Sequence, residues 1–358
     1  MLTAWSDHDA IFFSGGGLKV VAFLGALELA DLSGCAAAYG VSAGAMLACL
    51  LACGMSVERV KELFLQTHWA WLFYEACSLD RLVAGKTPMD GQKMRALLGG
   101  WLLEAGAPPH ATLGWLQRNR SMGFGCFAAD LEGGTMTLFE ASTHPEAHLV
   151  EVIMASMALP PMMEPVSVLG RLHVDAGICN NAPLSLLRKR ARKTLALLVN
   201  TGPEKKLPQR AMLLWARCNM LTQAELLTSA GESCTVLEMP STPASAHLFR
   251  VTPVDMTVLI GQGRVTALAR LLEKEIAGLC CALIVLLAQS TILEPQPADE
   301  NLGDTLKPPR AKDELAPHEH SARGAAAPRG PGLGLQGALR AGRALGQAAL
   351  AALGALVR

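Results

Sequence analysis

The sequence predicts an α/β fold on parallel strands, from two consecutive strand–glycine turn–helix units and an apolar composition. Ala10-Ile11-Phe12-Phe13 is a short apolar run that reads as a buried strand. Gly15-Gly16-Gly17 follows, and residues 18–30 have helical composition. The plan repeats with a strand at 35–39, the turn Gly40-Val41-Ser42-Ala43-Gly44 and a helix-forming segment at 45–53. Two such units in succession imply crossover connections and parallel strands. Hydrophobic residues make up 51% of the 358 and charged residues 17%, which suits a large core and argues against global disorder.

The remaining elements follow in order. Residues 57–103 read as helical, with a break at Gly85-Lys86-Thr87-Pro88 and a turn at Asp90-Gly91. Segments 124–131 and 135–139 flank Glu132-Gly133-Gly134 as a hairpin. A helix is expected over 146–157, stopped before Pro160-Pro161. Leu172-His173-Val174 reads as a strand leading into Asp175-Ala176-Gly177, and 194–199 as another buried strand. Residues 203–290 read as mainly helical, with a strand-like interruption at 248–254. The apolar run 276–288 falls short of the ~20 residues that span a bilayer and is expected to be a buried helix. Prolines at 295, 297, 308, 309, 317, 328 and 331 mark 293–331 as a linker. In 332–358, Gln336, Arg340, Arg343 and Gln347 share one helical face, with Leu339, Leu345, Leu350 and Leu353 away from it. Both an interfacial helix and a biased tail fit that pattern.

Charge and cysteine usage narrow the function classes. Lys plus Arg and Asp plus Glu each number 31, so no global field would attract a polyanion, and nucleic acid is not an expected partner. Ten cysteines are scattered without a CxxC or a Cys/His zinc spacing, so no metal and no disulfide framework is expected. The start has no basic segment followed by a long apolar one, and the expected location is intracellular, in the cytoplasm.

Three short motifs carry chemistry. Gly40-Val41-Ser42-Ala43-Gly44 is a GxSxG pattern between strand and helix, where a sharp turn would present the Ser42 hydroxyl at a helix N-terminus. A tight turn with Ser42 as an N-cap fits equally well. Gly15-Gly16-Gly17-Leu18-Lys19 can aim consecutive N–H groups at one point, as an oxyanion hole requires. A dinucleotide fingerprint would need glycine where Val20 stands, and a Walker loop would need Gly-Lys-Ser/Thr. Lys19 opposes the helix dipole, so it either holds the loop, meets an anionic head group or is simply solvated. Asp175-Ala176-Gly177 places a carboxylate at a strand end, where it could accept the Ser42 proton or form an ordinary turn. As a base, Asp175 would need its pKa tuned away from the usual ~3.9. Of the histidines, His173 shares the strand face of Asp175, while His247, His318 and His320 follow in loop-like contexts. None stands out, which favours a dyad over a triad.

In this order, the motifs resemble the patatin-like phospholipase family over about residues 10–200. GGGLK matches the oxyanion loop, GVSAGA the nucleophile elbow and DAG the catalytic acid. PMDGQKMRALL, FAADLEGGTMTLF, MASMALPPMMEPV and HVDAGICNNAP resemble intervening family segments. The resemblance implies a three-layer α/β/α patatin-like fold with a mainly parallel central sheet, followed here by a helical extension. It implies Ser42 as nucleophile, Asp175 as general base, and Gly15, Gly16, Gly17 and Ala43 as oxyanion donors, supported by Lys19, Gly40, Gly44 and Gly177. The implied activity is metal-free and cofactor-free hydrolysis of glycerolipid or phospholipid acyl esters, at a membrane or lipid-droplet surface. The expected divisions are a catalytic domain at 8–202, a helical extension at 203–292, the linker at 293–331 and the tail at 332–358. Apolar residues Phe64, Trp69, Trp71, Leu72 and Phe73 are candidate acyl-chain walls or plain core. Two departures stand out: Val20 where the family often has glycine, and Ala176 where Asp-Gly is usual. A positive φ at Ala176 would cost roughly 1 kcal/mol or more. Acyl transfer through the same acyl-enzyme, or lipid binding without catalysis, are the rival readings.

Overall fold

The computed structural model describes residues 5–76, 78–199, 222–223, 233–240 and 252–292. The chain divides into two units, Met1–Leu271 and Leu272–Arg358. The linker and tail expected beyond residue 292 lie outside the described residues, as does most of 203–251.

Eight strands form one sheet: β1 Ala10–Phe13, β2 Ala37–Val41, β3 Gly123–Asp130, β4 Thr135–Glu140, β5 Val166–Val168, β6 Arg171–Asp175, β7 Thr194–Val199 and β8 Cys234–Met239. The described helices are α1 Val21–Leu27, α2 Ala43–Ala52, α3 Val57–Gln66, α4 Trp69–Ala76, α5 Leu79–Val83, α6 Gln92–Glu104, α7 Leu113–Asn119, α8 Leu149–Met157 and α9 Pro253–Ile292. Strand order is β5-β6-β3-β2-β1-β7-β8, with β4 also paired to β3. The β1–β2, β1–β7, β2–β3 and β7–β8 pairs are parallel, so the α/β fold with a mainly parallel sheet stands.

One register detail positions the site. β3 has three strand partners but only two hydrogen-bonding edges. β4 pairs antiparallel with Gly125–Asp130 and so overlaps the stretches held by both other partners. β2 takes 123–127 and β6 takes 128–130, so these two strands share the opposite edge end to end. Val41, the last residue of β2, pairs with Phe127, and Asp175, the last residue of β6, pairs with Ala128. The strands therefore converge head-on, and the residue after Val41 meets Asp175.

Both faces of the sheet are covered, which explains why every residue of β1 and β7 is buried. Ile11, Phe13, Leu195 and Leu197 point into the larger core with α1, α2 and α8. Phe12, Val41, Phe127, Ala196 and Leu198 point to the other face, under the chain from Ala176 to Leu187. All ten residues of α2 are buried, as its apolar sequence requires. The start of α9 crosses α1 with backbones in contact. A Cβ on Gly25 would stand 1.8 Å from Ile260 O, and one on Gly263 would stand 1.7 Å from Ala22 O. Glu28 beside that crossing accepts from Lys61 Nζ at 2.6 Å and Arg264 Nε at 2.7 Å.

Three expectations are corrected. The helical reading of 203–290 missed β8, a six-residue strand whose every residue pairs in register with β7. Its pairing partner, and not local composition, makes it a strand. Pro253 and Val254 belong to α9 and not to the strand expected at 248–254, whose earlier residues lie outside those described. The apolar run after residue 276 is helical, but Ile276 and Leu279 are 49% and 70% exposed, so it is not buried there. Composition sets how apolar a helix is, not whether a neighbour covers it. Among the described residues, no helix is long and apolar enough to cross a membrane.

Candidate active site

Ser42 follows β2 directly and opens α2, with φ 54° and ψ −130°. A positive φ in a residue with a Cβ carries about 1–3 kcal/mol of strain, so the surroundings must impose it. They do so through two glycines and a buried serine. A Cβ on Gly40 would lie 2.5 Å from Ala45 N and Gly44 O, and one on Gly44 would lie 2.5 Å from Phe13 O and Ser14 O. The GxSxG spacing is thus what lets α2 fold back against β2 and β1. The Ser42 N–H donates to Ser156 Oγ at 2.8 Å, and Ser156 Oγ donates to Phe127 O at 2.6 Å.

The Ser42 side chain does not cap α2. Its hydroxyl donates instead to Asp175 Oδ2 at 2.6 Å. The other carboxyl oxygen, Oδ1, accepts the Gly177 N–H at 2.7 Å. Asp175 is only 4% exposed, and burial pushes its pKa up to about 6, against the opposing pull of the Ser42 and Gly177 hydrogen bonds. Ala176 enters a short 3-10 turn, Ala176–Ile178, and is not among the non-glycine residues with positive φ. The alanine there is unstrained.

The glycine loop is anchored where it begins, at Ser14 and Gly15. Ser14 Oγ accepts the Val199 N–H at 3.0 Å. Asn181 grips Gly15 at two points, Oδ1 accepting its N–H at 2.9 Å and Nδ2 donating to its carbonyl at 3.0 Å. This corrects the expectation for Gly15: its N–H is spent on Asn181 and does not point into an oxyanion hole. Gly15 is instead a close-approach position, because a Cβ would stand 2.9 Å from Ser42 Cβ. Gly17 has φ 56°, a left-handed conformation that suits glycine. Among the described residues no acceptor takes the N–H of Gly16, Gly17 or Ala43. Lys19 is 5% exposed, so the solvated-lysine reading falls. Val20 is ordinary right-handed helix with φ −60°, where glycine is not needed.

His173 is engaged with residues other than Ser42 and Asp175. It is buried, its Nδ1 lies 3.0 Å from Arg171 O, and its ring meets Phe139 edge-on at 4.9 Å. His247, His318 and His320 lie outside the described residues. Among the described residues no group of three or more His, Cys, Asp or Glu side chains could hold a metal ion.

A narrow cavity of about 80 Å³ opens beside Ser42 and Asp175, lined by Gly17, Leu18, Ala43, Trp69, Phe73, Leu159 and six methionines. The methionines are Met46, Met89, Met94, Met157, Met162 and Met163. Trp69 and Phe73 therefore act as walls. Phe64 is core, packed on Trp69 and Trp101 at 5.2 and 5.5 Å, and Leu72 is buried. The side chain of Trp71 lies outside those described. Sequence reasoning missed Ser156 and Asn181. Both sit in segments quoted for the resemblance, MASMALPP and NNAP, where only a lone serine and a second asparagine marked them.

Residues 11–188 match the family model described as "Patatin-like phospholipase". The chain carries a patatin-like phospholipase domain. No curated protein matches this chain in sequence. Among solved structures, the chain is similar to the type III effector protein ExoU at 19% identity, covering 72% of this chain and 52% of that one with a TM-score of 0.40. A structure of SpcU with ExoU from Pseudomonas aeruginosa matches at 18% identity, 71% and 52% coverage and a TM-score of 0.37. VipD from Legionella pneumophila matches at 16% identity, 73% and 66% coverage and a TM-score of 0.42. The chain thus spans about half of the ExoU chains and just under two thirds of VipD.

Proposed function

We propose that this patatin-like domain hydrolyses fatty-acyl esters of glycerolipids or phospholipids through a Ser42–Asp175 dyad and an acyl-enzyme intermediate. The observation that carries the reading is the 2.6 Å hydrogen bond from Ser42 Oγ to a buried carboxylate, made by a serine in a strained turn. A pKa of about 6 leaves Asp175 ionised at neutral pH yet basic enough to take a proton in the transition state.

As the Ser42 oxygen bonds to the ester carbonyl carbon, its proton passes to Asp175 Oδ2. The carbonyl oxygen becomes an oxyanion, held by the N–H groups of Gly16, Gly17 and Ala43 at the N-terminus of α2. The tetrahedral species collapses, the C–O bond to the alcohol or lysolipid breaks, and Asp175 returns its proton to that leaving oxygen. Water then attacks the acyl-Ser42 ester, giving its proton to Asp175. Fatty acid leaves, and Ser42 regains its hydrogen.

The apolar, methionine-rich cavity supports an acyl chain as the bound group, since thioether side chains repack readily around a flexible alkyl chain. Association with a lipid surface is supported by Leu79 and Val83 of α5, 74% and 83% exposed. They are tied to the cavity rim by Ser78 N–H donating to Pro88 O, next to Met89. The departures that favoured a binding-only protein, Val20 and Ala176, both sit in unstrained backbone.

The test is fatty-acid release from phospholipid and neutral-lipid panels by wild type and Ser42→Ala, with covalent labelling by a fluorophosphonate. Release and labelling that vanish in the variant support the reading. A folded wild type that neither labels at Ser42 nor releases fatty acid overturns it. Products formed with an added alcohol distinguish acyl transfer from hydrolysis.

A further inference from the structure

A second cavity, roomier than the one beside Ser42 and Asp175, lies elsewhere in the fold. It has a volume of about 350 Å³ and is lined by Asp9, Leu184, Ala191, Thr194, Ser233, Cys234 and four cationic residues, Arg188, Lys189, Arg190 and Arg192. Thr194 and Cys234 pair at the first positions of β7 and β8, and Thr194 also pairs with Ala10 at the first position of β1. Ser42, by contrast, follows the last residue of β2, which runs parallel to β1. The two cavities therefore lie at opposite ends of the strands, about 15–20 Å apart at ~3.3 Å per residue. Acyl-ester chemistry at Ser42 gives the far cavity no task.

Its charge is concentrated and held in place. The run 188–193 has five cationic residues in six, in a chain whose net charge is zero. The Asp9 carboxylate accepts the N–H of Arg192 at 3.0 Å and of Lys193 at 2.8 Å, and Lys193 O accepts the N–H of Asp9 at 3.1 Å. Arg190 Nε sits 2.9 Å from both carboxylate oxygens of Glu140, and Arg190 Nη1 donates to Leu186 O at 2.8 Å. Asp9 is the lone carboxylate in the lining. With Glu140 set against Arg190 and Asp9 against Arg192 Nε at 3.2 Å, four cationic residues still face two carboxylates.

We propose that this cavity is a second binding site, separate from the acyl-ester site, for a ligand bearing two or more phosphate groups. Guanidinium forks suit phosphate oxygens, which they hold by paired, charge-assisted hydrogen bonds, and a lysine adds a point charge. The volume falls in the range of small-ligand sites. Loop 188–193 is pinned to β1 and β4 before any ligand arrives, so little ordering entropy opposes binding. The ligand's phosphates come either from an anionic lipid head group or from a soluble phosphate compound.

The test uses full-length Ser42→Ala protein, so that vesicles are not consumed. Calorimetry with inorganic tripolyphosphate reads the soluble source. Flotation with phosphatidylcholine vesicles, with and without cardiolipin, reads the lipid source. The comparison is between Arg188→Gln/Lys189→Gln and a charge-matched control, Lys86→Gln/Lys93→Gln. Arg188, Lys189 and Lys86 are exposed and Lys93 is half-buried, and unchanged melting temperatures will show that each variant folds. The expected result is binding in at least one arm that weakens about tenfold or more in the cavity variant alone, with a shallower salt dependence. Loss in the vesicle arm only assigns the site to head groups; loss in the tripolyphosphate arm assigns it to soluble phosphates. No binding in either arm, or equal losses in both variants, overturns the proposal.

Discussion

Ser156 holds the backbone of Ser42: its hydroxyl accepts the Ser42 N–H at 2.8 Å while donating to Phe127 O at 2.6 Å. The side chain is fully buried. Ser156→Ala would leave a buried N–H and a buried carbonyl without that partner, a loss of about 1–3 kcal/mol in urea denaturation. Because the strained turn relaxes, kcat is expected to fall about tenfold or more with KM little changed. Ser156→Thr, which keeps the hydroxyl, is expected to recover part of the kcat.

Asp175 links activity and stability to pH in opposite directions. The proposed mechanism needs the carboxylate, so kcat/KM is expected to rise with pH and level off above an apparent pKa of about 6. For stability, the folded pKa is raised from 3.8 to about 6. Below ~4 the carboxyl is neutral in both folded and unfolded chains, and above about 6 the fold carries a buried charge. Stability from this group is therefore lost as pH rises between those values, by about 3 kcal/mol in all. Asp175→Asn is expected to abolish hydrolysis yet melt above wild type at pH 8, with the gap closing by pH 4. A constant gap across that range would remove burial of Asp175 as its cause.

Two helical glycines should respond oppositely to alanine. Gly25→Ala drives a Cβ into Ile260 O at the α1–α9 crossing and is expected to destabilise by about 3 kcal/mol or more. Gly99→Ala on α6 meets nothing within 4 Å and should stabilise by up to about 1 kcal/mol through helix propensity. Chemical denaturation of both variants checks the pair.

Chain-length preference should follow the methionine wall. Met162 is half-buried and faces the cavity beside the dyad. Met162→Trp is expected to lower kcat/KM for long-chain relative to short-chain esters by about tenfold or more. A p-nitrophenyl ester series gives the ratio directly.

Much of this architecture is legible in the sequence because glycines punctuate it. The β1 and β2 units are apolar runs ended by Gly15-Gly16-Gly17 and by GxSxG, and each glycine of the latter proves to be a contact between backbones. What the sequence could not convey is pairing. β8 is a strand because β7 is beside it, and β2 and β6 share an edge of β3 through registers that no local pattern encodes. The use of the Gly15 N–H was hidden for the same reason, since its acceptor lies at Asn181, far along the chain. Ser156 carries no motif of its own and reads as a polar residue in an apolar helix.

The end-to-end meeting of β2 and β6 also orders events during synthesis. Ser42 leaves the ribosome long before Asp175, 133 residues later. The partner carboxylate reaches the serine only when β6 docks on the last residues of β3, a non-local closure that comes late in folding. A nascent chain thus carries its hydroxyl without that carboxylate, and the docking that completes that edge of β3 also brings the two together.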